Sequence, residues 1–300
     1  MLVGLDYCDA VNQPEILRLH IRSTIRDDAD HDRATNWCLE NGYAGLGWKI
    51  PNQEGLSGIS WPEYEEHGRA NSNVRRFHEA AIGTLVWTRQ RNGDYWLGVI
   101  EGEWEYRDDP VACELDLCNV RPARWEHVGT EGEVPGRVVN AFRSRWTLQK
   151  IHDHAAGAYT HRLYEELFEG RTDFQPEEAE TVIKSLLGPE DLEDLVAVYL
   201  QDRFDYLVVS RLRSTPGYEY ELRDRDGGAT AVASVKSGGT HVNLDLLPSG
   251  TVDVAYAYAV SEGYDGARRD NITCIETQQL ADFMRARREI LPKRVAAWLT

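Results

Sequence analysis

Glu193, Glu219, Glu221, Ser234 and Lys236 are the residues of this 300-residue chain whose types and spacing could do chemistry together. Glu193 falls in a run, Glu190–Asp202, that reads as a helix. Pro189 opens it, and Leu192, Leu195, Val196, Val198 and Tyr199 form its buried side. Glu219 and Glu221 fall in Tyr218–Leu222, which reads as a strand and shows both carboxylates on one face, because strand side chains alternate. A second strand, Thr230–Lys236, ends in Ser234-Val235-Lys236, with Ser234 and Lys236 again sharing a face. Paired as a hairpin, the two strands bring carboxylates and one ammonium to an edge of a sheet. Carboxylates in such a place hold Mg²⁺, which takes oxygen ligands and keeps several waters. The metal activates water and stabilises charge on a phosphate, and the lysine orients the nucleophile or steadies the transition state.

The elements around these residues support that arrangement. Pro176 opens a helix over Glu177–Leu187 that stops at Gly188, and Tyr206–Leu212 is expected to be a strand before Tyr218–Leu222. The Asp224–Gly228 cluster is a turn. Val252–Val260 and Ile272–Ile275 are further strands, and Leu280–Trp298 is a helical stretch broken at Pro292. The lysines of the chain are Lys49, Lys150, Lys184, Lys236 and Lys293, in a sequence that otherwise uses arginine, so a lysine ending an apolar strand is a selective choice. A plainer reading makes Lys236 an edge-strand gatekeeper and the two glutamates a solvated strand face.

With these residues in view, the stretch 176–285 resembles the PD-(D/E)xK nuclease superfamily, especially its branch of Mrr-like restriction enzymes. The likeness rests on Asp191-Leu192-Glu193-Asp194-Leu195, Tyr218-Glu219-Tyr220 and Ala233-Ser234-Val235-Lys236-Ser237-Gly238. It implies an α/β/α restriction-endonuclease-like core and phosphodiester hydrolysis with Mg²⁺ or Mn²⁺. Glu193 and Glu219 are then the metal ligands and Lys236 the motif lysine, with Glu221 as a further catalytic candidate. The family places Glu, Asp or Gln two residues before the lysine. Here the residue is Ser234, so Glu221 or Asp224 would have to serve instead, or the site is inactive.

The first half has another texture. Tryptophans crowd residues 40–145, and Thr84–Trp87 and Tyr95–Gly102 read as two strands joined by a turn with the Asn92-Gly93 pair. Cys118–Val120 and Trp125–Val128 suggest more short strands, whereas Leu148, Ile151, Tyr159, Leu163 and Leu167 fit a helical face. Aromatic rings stack on bases that have left a duplex, and arginines beside them hold phosphates. This half resembles PUA-like domains, including the EVE type, over about residues 40–150, on its aromatic strands and Val138-Val139-Asn140-Ala141-Phe142-Arg143. The resemblance implies a β-barrel with an aromatic pocket for a modified base. Trp48, Trp87 and Trp104 are the pocket candidates, and Arg89, Arg121, Arg143 and Arg145 the backbone contacts. Against this, any single tryptophan in a small barrel is more often core.

Composition bounds the rest. A net charge of -17 opposes a broad phosphate-binding surface, although Arg121–Lys150 is locally basic between acidic stretches. The 5 cysteines are odd in number and scattered, which argues against a disulfide framework. Cys113 and Cys118 lack a second pair with zinc spacing. There is no Gly-x-Ser-x-Gly turn, and no Lys-Ser or Lys-Thr follows the glycines of Gly45-Leu46-Gly47. His152 and His154 diverge on a helix. No long apolar run and no secretory leader are evident, so a cytoplasmic protein without membrane contact is expected. The expectation is an α+β / α/β chain of two domains, residues 1–150 and 151–300. It would act as a modification-dependent restriction endonuclease on DNA in phage defence, as a homodimer. The alternative is a non-catalytic nucleic-acid reader with a degenerate nuclease fold.

Overall fold

The computed structural model describes residues 14–21, 28–171, 176–211 and 217–299, without the side chains of 28–31. Leu212, the last residue of the expected strand Tyr206–Leu212, and Cys8, one of the 5 cysteines, lie outside these residues. The architecture is mixed α+β, and the chain divides into two compact units. One takes residues to Val134, Val138–His152 and Leu163–Gly170; the other takes Pro135–Arg137, Asp153–Arg162 and the chain from Arg171.

The first unit is built on strands β1 (Ile16–Leu19), β2 (Tyr43–Leu46), β3 (Leu85–Arg89), β4 (Tyr95–Ile100), β5 (Glu105–Tyr106), β6 (Asn119–Gly129) and β7 (Leu148–Lys150). Their order is β2-β6-β4-β3-β1-β7, with β5 also paired to β6. Strand β6 explains the curl of this half-barrel. Its first residues, Asn119–Pro122, pair with β2, and Ala123–Gly129 pair with β4, so one bent strand joins two parts of the sheet. The Asn92-Gly93 turn closes β3 onto β4, with Arg89 opposite Tyr95 and Gly93 at φ 96°, a conformation that suits glycine. Strand β7 pairs antiparallel with β1 through Leu19 and Leu148, so Leu148 is not the start of a helix. The helical face that includes Tyr159 and Leu163 begins at His154 instead, because the sheet recruits Leu148–Lys150 first.

Helices α1 (Asp28–Asn41), α2 (Trp61–Glu66), α3 (Ser72–Glu79), α4 (Pro110–Leu115) and α5 (Gly136–Ala141) follow from local signals. Asn71 caps α3 by accepting from Asn73 N (2.8 Å) and Val74 N (3.3 Å), a cap worth about 1 kcal/mol. Leu17, Leu19, Val86, Ile100, Val120, Tyr64 and Phe77 form the core on one side of the sheet.

In the second unit, α6 (His154–Glu169, of which His154–Arg162 belong here) and α7 (Ala179–Thr181) precede α8 (Pro189–Phe204). Strands β8 (Tyr206–Arg211), β9 (Tyr220–Asp224), β10 (Thr230–Lys236), β12 (Val254–Ala259) and β14 (Ile272–Cys274) form one sheet in the order β14-β12-β10-β9-β8. Strands β11 (Val242–Asn243) and β13 (Tyr264–Asp265) pair separately. The first three strands run antiparallel and β12 runs parallel to β10. Val232, Ala255, Ala257 and Ala259 pack against Val242, Leu244 and Leu247. Phe204, Tyr206 and Tyr256 form a ring cluster that Tyr199 of α8 and Phe283 of α9 (Thr277–Ala286) extend. After α9, Pro292 precedes the short α10 (Lys293–Ala296). No helix among the described residues is long and apolar enough to cross a membrane.

Candidate functional site

The second unit brings three of the sequence candidates together. Glu219 stands just before β9, and its backbone N donates to Ala233 O (2.8 Å). Its side chain continues the ladder where β9 has ended: Oε2 accepts from Val235 N (2.7 Å) and Oε1 from the Lys236 ammonium (2.5 Å). The carboxylate therefore does two jobs, satisfying a strand N–H and fixing the lysine. Strand β10 is interior, paired with β9 on one side and β12 on the other. That pairing with β9 covers Thr230–Ala233 alone, so at Val235 and Lys236 only β12 pairs with β10 and the Glu219 carboxylate covers the open edge, where the edge-strand reading had placed Lys236.

Glu193 comes from α8. Its carboxylate accepts from Arg211 Nη2 (2.9 Å), and Arg211 Nη1 lies 3.3 Å from Asp194. Burial pushes the Glu193 carboxyl above its ordinary range, Arg211 pulls it back, and the nearby Glu219 charge pushes it up again. The Glu219 charge is thus a smaller influence on Glu193 than burial and Arg211. Behind them, Arg294 bonds Asp191 (2.6 Å) and Asp194, so a chain of alternating charge runs from the buried Asp191 to Glu193.

Glu221 is not part of this convergence. It sits opposite Val232, four positions before Lys236 on β10, or ~13 Å along a strand at about 3.3 Å per residue. Ser234 is 1% exposed and its Oγ has no hydrogen-bond partner. The position before the lysine therefore offers no oxygen to solvent. Asp224 closes the β9–β10 turn by accepting from Gly227 N (2.8 Å), at the far end of the hairpin. Among the described residues, no group of three His, Cys, Asp or Glu side chains is arranged to hold a metal. Of the expected ligands, Glu193 already shares its carboxylate with Arg211, and Glu219 with Val235 N–H and Lys236.

In the first unit the aromatic candidates separate. Trp87 is fully buried on β3, beside Arg18 of β1 and Leu97 of β4. It cannot receive a base. Trp104 stands instead in a cluster that sequence reasoning missed. Trp61 and His78 stack at 3.9 Å between centroids and 14° between planes, and Trp104 lies edge-on to both at 5.2 Å and 5.7 Å. Tyr64 completes the group. Asn119 ties it down, accepting from Trp104 Nε1 (3.1 Å) and donating to Gly47 O and Tyr64 OH (3.2 Å). Tyr64 OH donates to Trp48 O (2.9 Å), so Trp48 meets the cluster through its backbone, which has φ 68°. Burial and the Arg121 charge lower the His78 pKa, favouring a neutral ring, and its buried Nδ1 has no hydrogen-bond partner. One signal for Trp61 was legible: Ser60 and Glu63 have capping-box spacing, and the Glu63 side chain closes on Ser60 N (2.8 Å). That places Trp61 in the first turn of α2.

The arginines also divide. Arg121 is 1% exposed and donates to Gly102 O (2.9 Å), Phe77 O (3.1 Å), His78 O (3.4 Å) and Ala80 O. It neutralises the C-terminal carbonyls of α3 and is not a phosphate contact. Arg89 packs over Tyr95 and Phe142 and donates to Tyr95 OH (3.3 Å). Arg143 and Arg145 are exposed. Comparison with protein-family models gives no match for this chain, and comparison with curated proteins gives none either.

Proposed function

We propose that the chain hydrolyses phosphodiester bonds of nucleic acid at Glu193, Glu219 and Lys236, and selects its substrate through an aromatic base-reading site in the first unit. The observation that carries this is the Glu219–Lys236 pair at 2.5 Å with Glu193 close enough to feel the Glu219 charge. The helix followed by three antiparallel strands and a parallel fourth supports a nuclease-type core of the PD-(D/E)xK kind. The half-barrel supports a PUA-like reader, with the half-buried Trp61 and His78 as its aromatic faces, backed by the buried Tyr64 and Trp104, in place of Trp87. DNA with a modified base is the substrate of this reading, and modification-dependent restriction by a cytoplasmic homodimer its biological form.

Glu193 and Glu219 are the residues that would hold Mg²⁺ or Mn²⁺, which when bound lowers the pKa of water and offsets phosphate charge. The Lys236 ammonium, aimed by Glu219, stabilises negative charge gathering on a non-bridging phosphate oxygen. Val235 N–H fixes Glu219, so the lysine is positioned by a rigid strand rather than by a loop. Burial holds the Glu193 carboxyl above its ordinary range, so without a metal it is a stronger base than an exposed carboxylate.

The test is incubation of modified and unmodified DNA with the protein plus Mg²⁺ or Mn²⁺. Cleavage is expected, lost in Lys236→Ala; no cleavage of either DNA, or cleavage that survives the substitution, refutes the hydrolytic role. Buried, unpartnered Ser234 favours a second reading, a nucleic-acid reader with a degenerate nuclease fold. Calorimetric titration of Mn²⁺ separates the two: the hydrolase binds metal and loses it in Glu219→Ala, whereas the reader binds nucleic acid without metal.

A further inference from the structure

The segment Arg143-Ser144-Arg145-Trp146 combines a rigid backbone with an exposed aromatic ring. Trp146 is 68% exposed, and among the described residues no other tryptophan is exposed. An indole left in water forgoes the burial that tryptophan normally gains. Its flanks are unlike those of an apolar patch, since Arg143 and Arg145 are also exposed.

The backbone beneath is held from several sides. Phe142 is buried against His20 (5.1 Å) and Tyr95 (5.5 Å). Ser144 O is hydrogen-bonded to His20 Nε2 (3.2 Å), and Thr147 O accepts from His20 N (2.8 Å). The fully buried Arg18 donates to Trp146 O, to Thr147 O (3.4 Å) and to Gln149 Oε1 (2.9 Å). A buried guanidinium is thus committed to fixing the carbonyls under an exposed ring. The ordering of the loop is complete before any partner arrives, which lowers the entropy cost of binding.

We propose that Trp146 is a stacking contact for an unpaired nucleic-acid base, with Arg143 and Arg145 on the flanking phosphates. A base fits because it is a planar ring joined to anions on either side, matching an indole between cations. Stacking accepts any base, so this contact supplies affinity and leaves selection to the Trp61–His78–Trp104 group. The inference rests on the nucleic-acid reading above.

The experiment is fluorescence anisotropy of the full chain with a labelled single-stranded oligonucleotide and with its duplex, over a salt series. Trp146→Ala is expected to weaken single-strand binding about tenfold, and Trp146→Phe to restore most of it. The Arg143→Gln/Arg145→Gln double variant is expected to lower the slope of log affinity against log salt by about 1.4. All three side chains are exposed, and binding is compared only between variants whose circular dichroism and thermal midpoint match the wild type, with Arg143→Gln alone expected to lower the salt slope by about 0.7. Unchanged affinity of Trp146→Ala overturns the stacking role while leaving the nucleic-acid reading intact. No wild-type binding even at low salt overturns both. A substitution that instead abolishes self-association in sedimentation assigns the ring to a second copy and overturns the proposal.

Discussion

Removing the Arg294 guanidinium should loosen helix α8 and, with it, the support of Glu193. Arg294 is 6% exposed and the Asp191 side chain 9%, with 2.6 Å between Nε and Oδ1. Breaking a buried pair by deleting one partner costs about 3–5 kcal/mol, because the remaining charge is stranded. Asp191 keeps two acceptor bonds, from Gly136 N (3.1 Å) and Gly188 N (3.4 Å), so the lower end of that range, about 3 kcal/mol, is expected for Arg294→Met. Methionine preserves most of the buried stem, which isolates the charge effect. Burial already pushes the Asp191 carboxyl above its ordinary 3.8, with Arg294 and the two N–H groups pulling it down. Without Arg294 it rises further. The folded variant then takes up a proton as pH falls from 7, and stability returns on acidification. Hydrogen exchange of α8 peptides in the full chain, corrected for intrinsic rates, reads this directly. The exchange rate at pH 7 should rise about a hundredfold, given roughly tenfold per 1.4 kcal/mol. The increase should shrink at pH 5, and Asp191→Asn in the same chain should recover most of it. An increase of less than about fivefold (roughly 1 kcal/mol), or a deficit that widens towards pH 5, refutes the reasoning.

Two further outcomes follow from the geometry. Burial holds the Glu193 carboxyl above its ordinary 4.5, so its ionised form costs folded-state stability at neutral pH and the cost fades as pH falls towards 4.5. Glu193→Gln is therefore expected to leave the thermal midpoint at pH 7 unchanged or raised, with DNA cleavage lost; a midpoint lowered by more than about 3 °C contradicts this. In the first unit, a Cβ on Gly98 would come 2.5 Å from Trp125 Cε3. Gly98→Ala should cost about 1–3 kcal/mol in chemical denaturation through displacement of the indole, and wild-type stability would show that the ring moves freely.

Much of the second unit was legible because period-two alternation and turn residues act locally. The strands ending at Lys236 and beginning near Glu219, the helix carrying Glu193 and the Asn92-Gly93 hairpin all follow from neighbours in sequence. Residue type and spacing are enough to show which residues are chemically able: carboxylates beside one rare lysine, and many aromatics in the first half. Partners were decided only by the tertiary structure. Glu219 and Glu221 look alike on one strand, yet only Glu219 meets Lys236, because β9 ends there and leaves Val235 N–H to be satisfied. Arg121 looks like a phosphate contact until α3 brings carbonyls to it from residues 77, 78 and 80. Trp87 and Trp104 look alike in sequence and both end up buried, but the pairing of β3 between β1 and β4 encloses Trp87 within the sheet while α2 and α3 set the half-buried Trp61 and His78 around Trp104. The reason is common to all three. Burial and pairing depend on segments tens of residues apart, and no local periodicity encodes which of two similar side chains such a segment will cover.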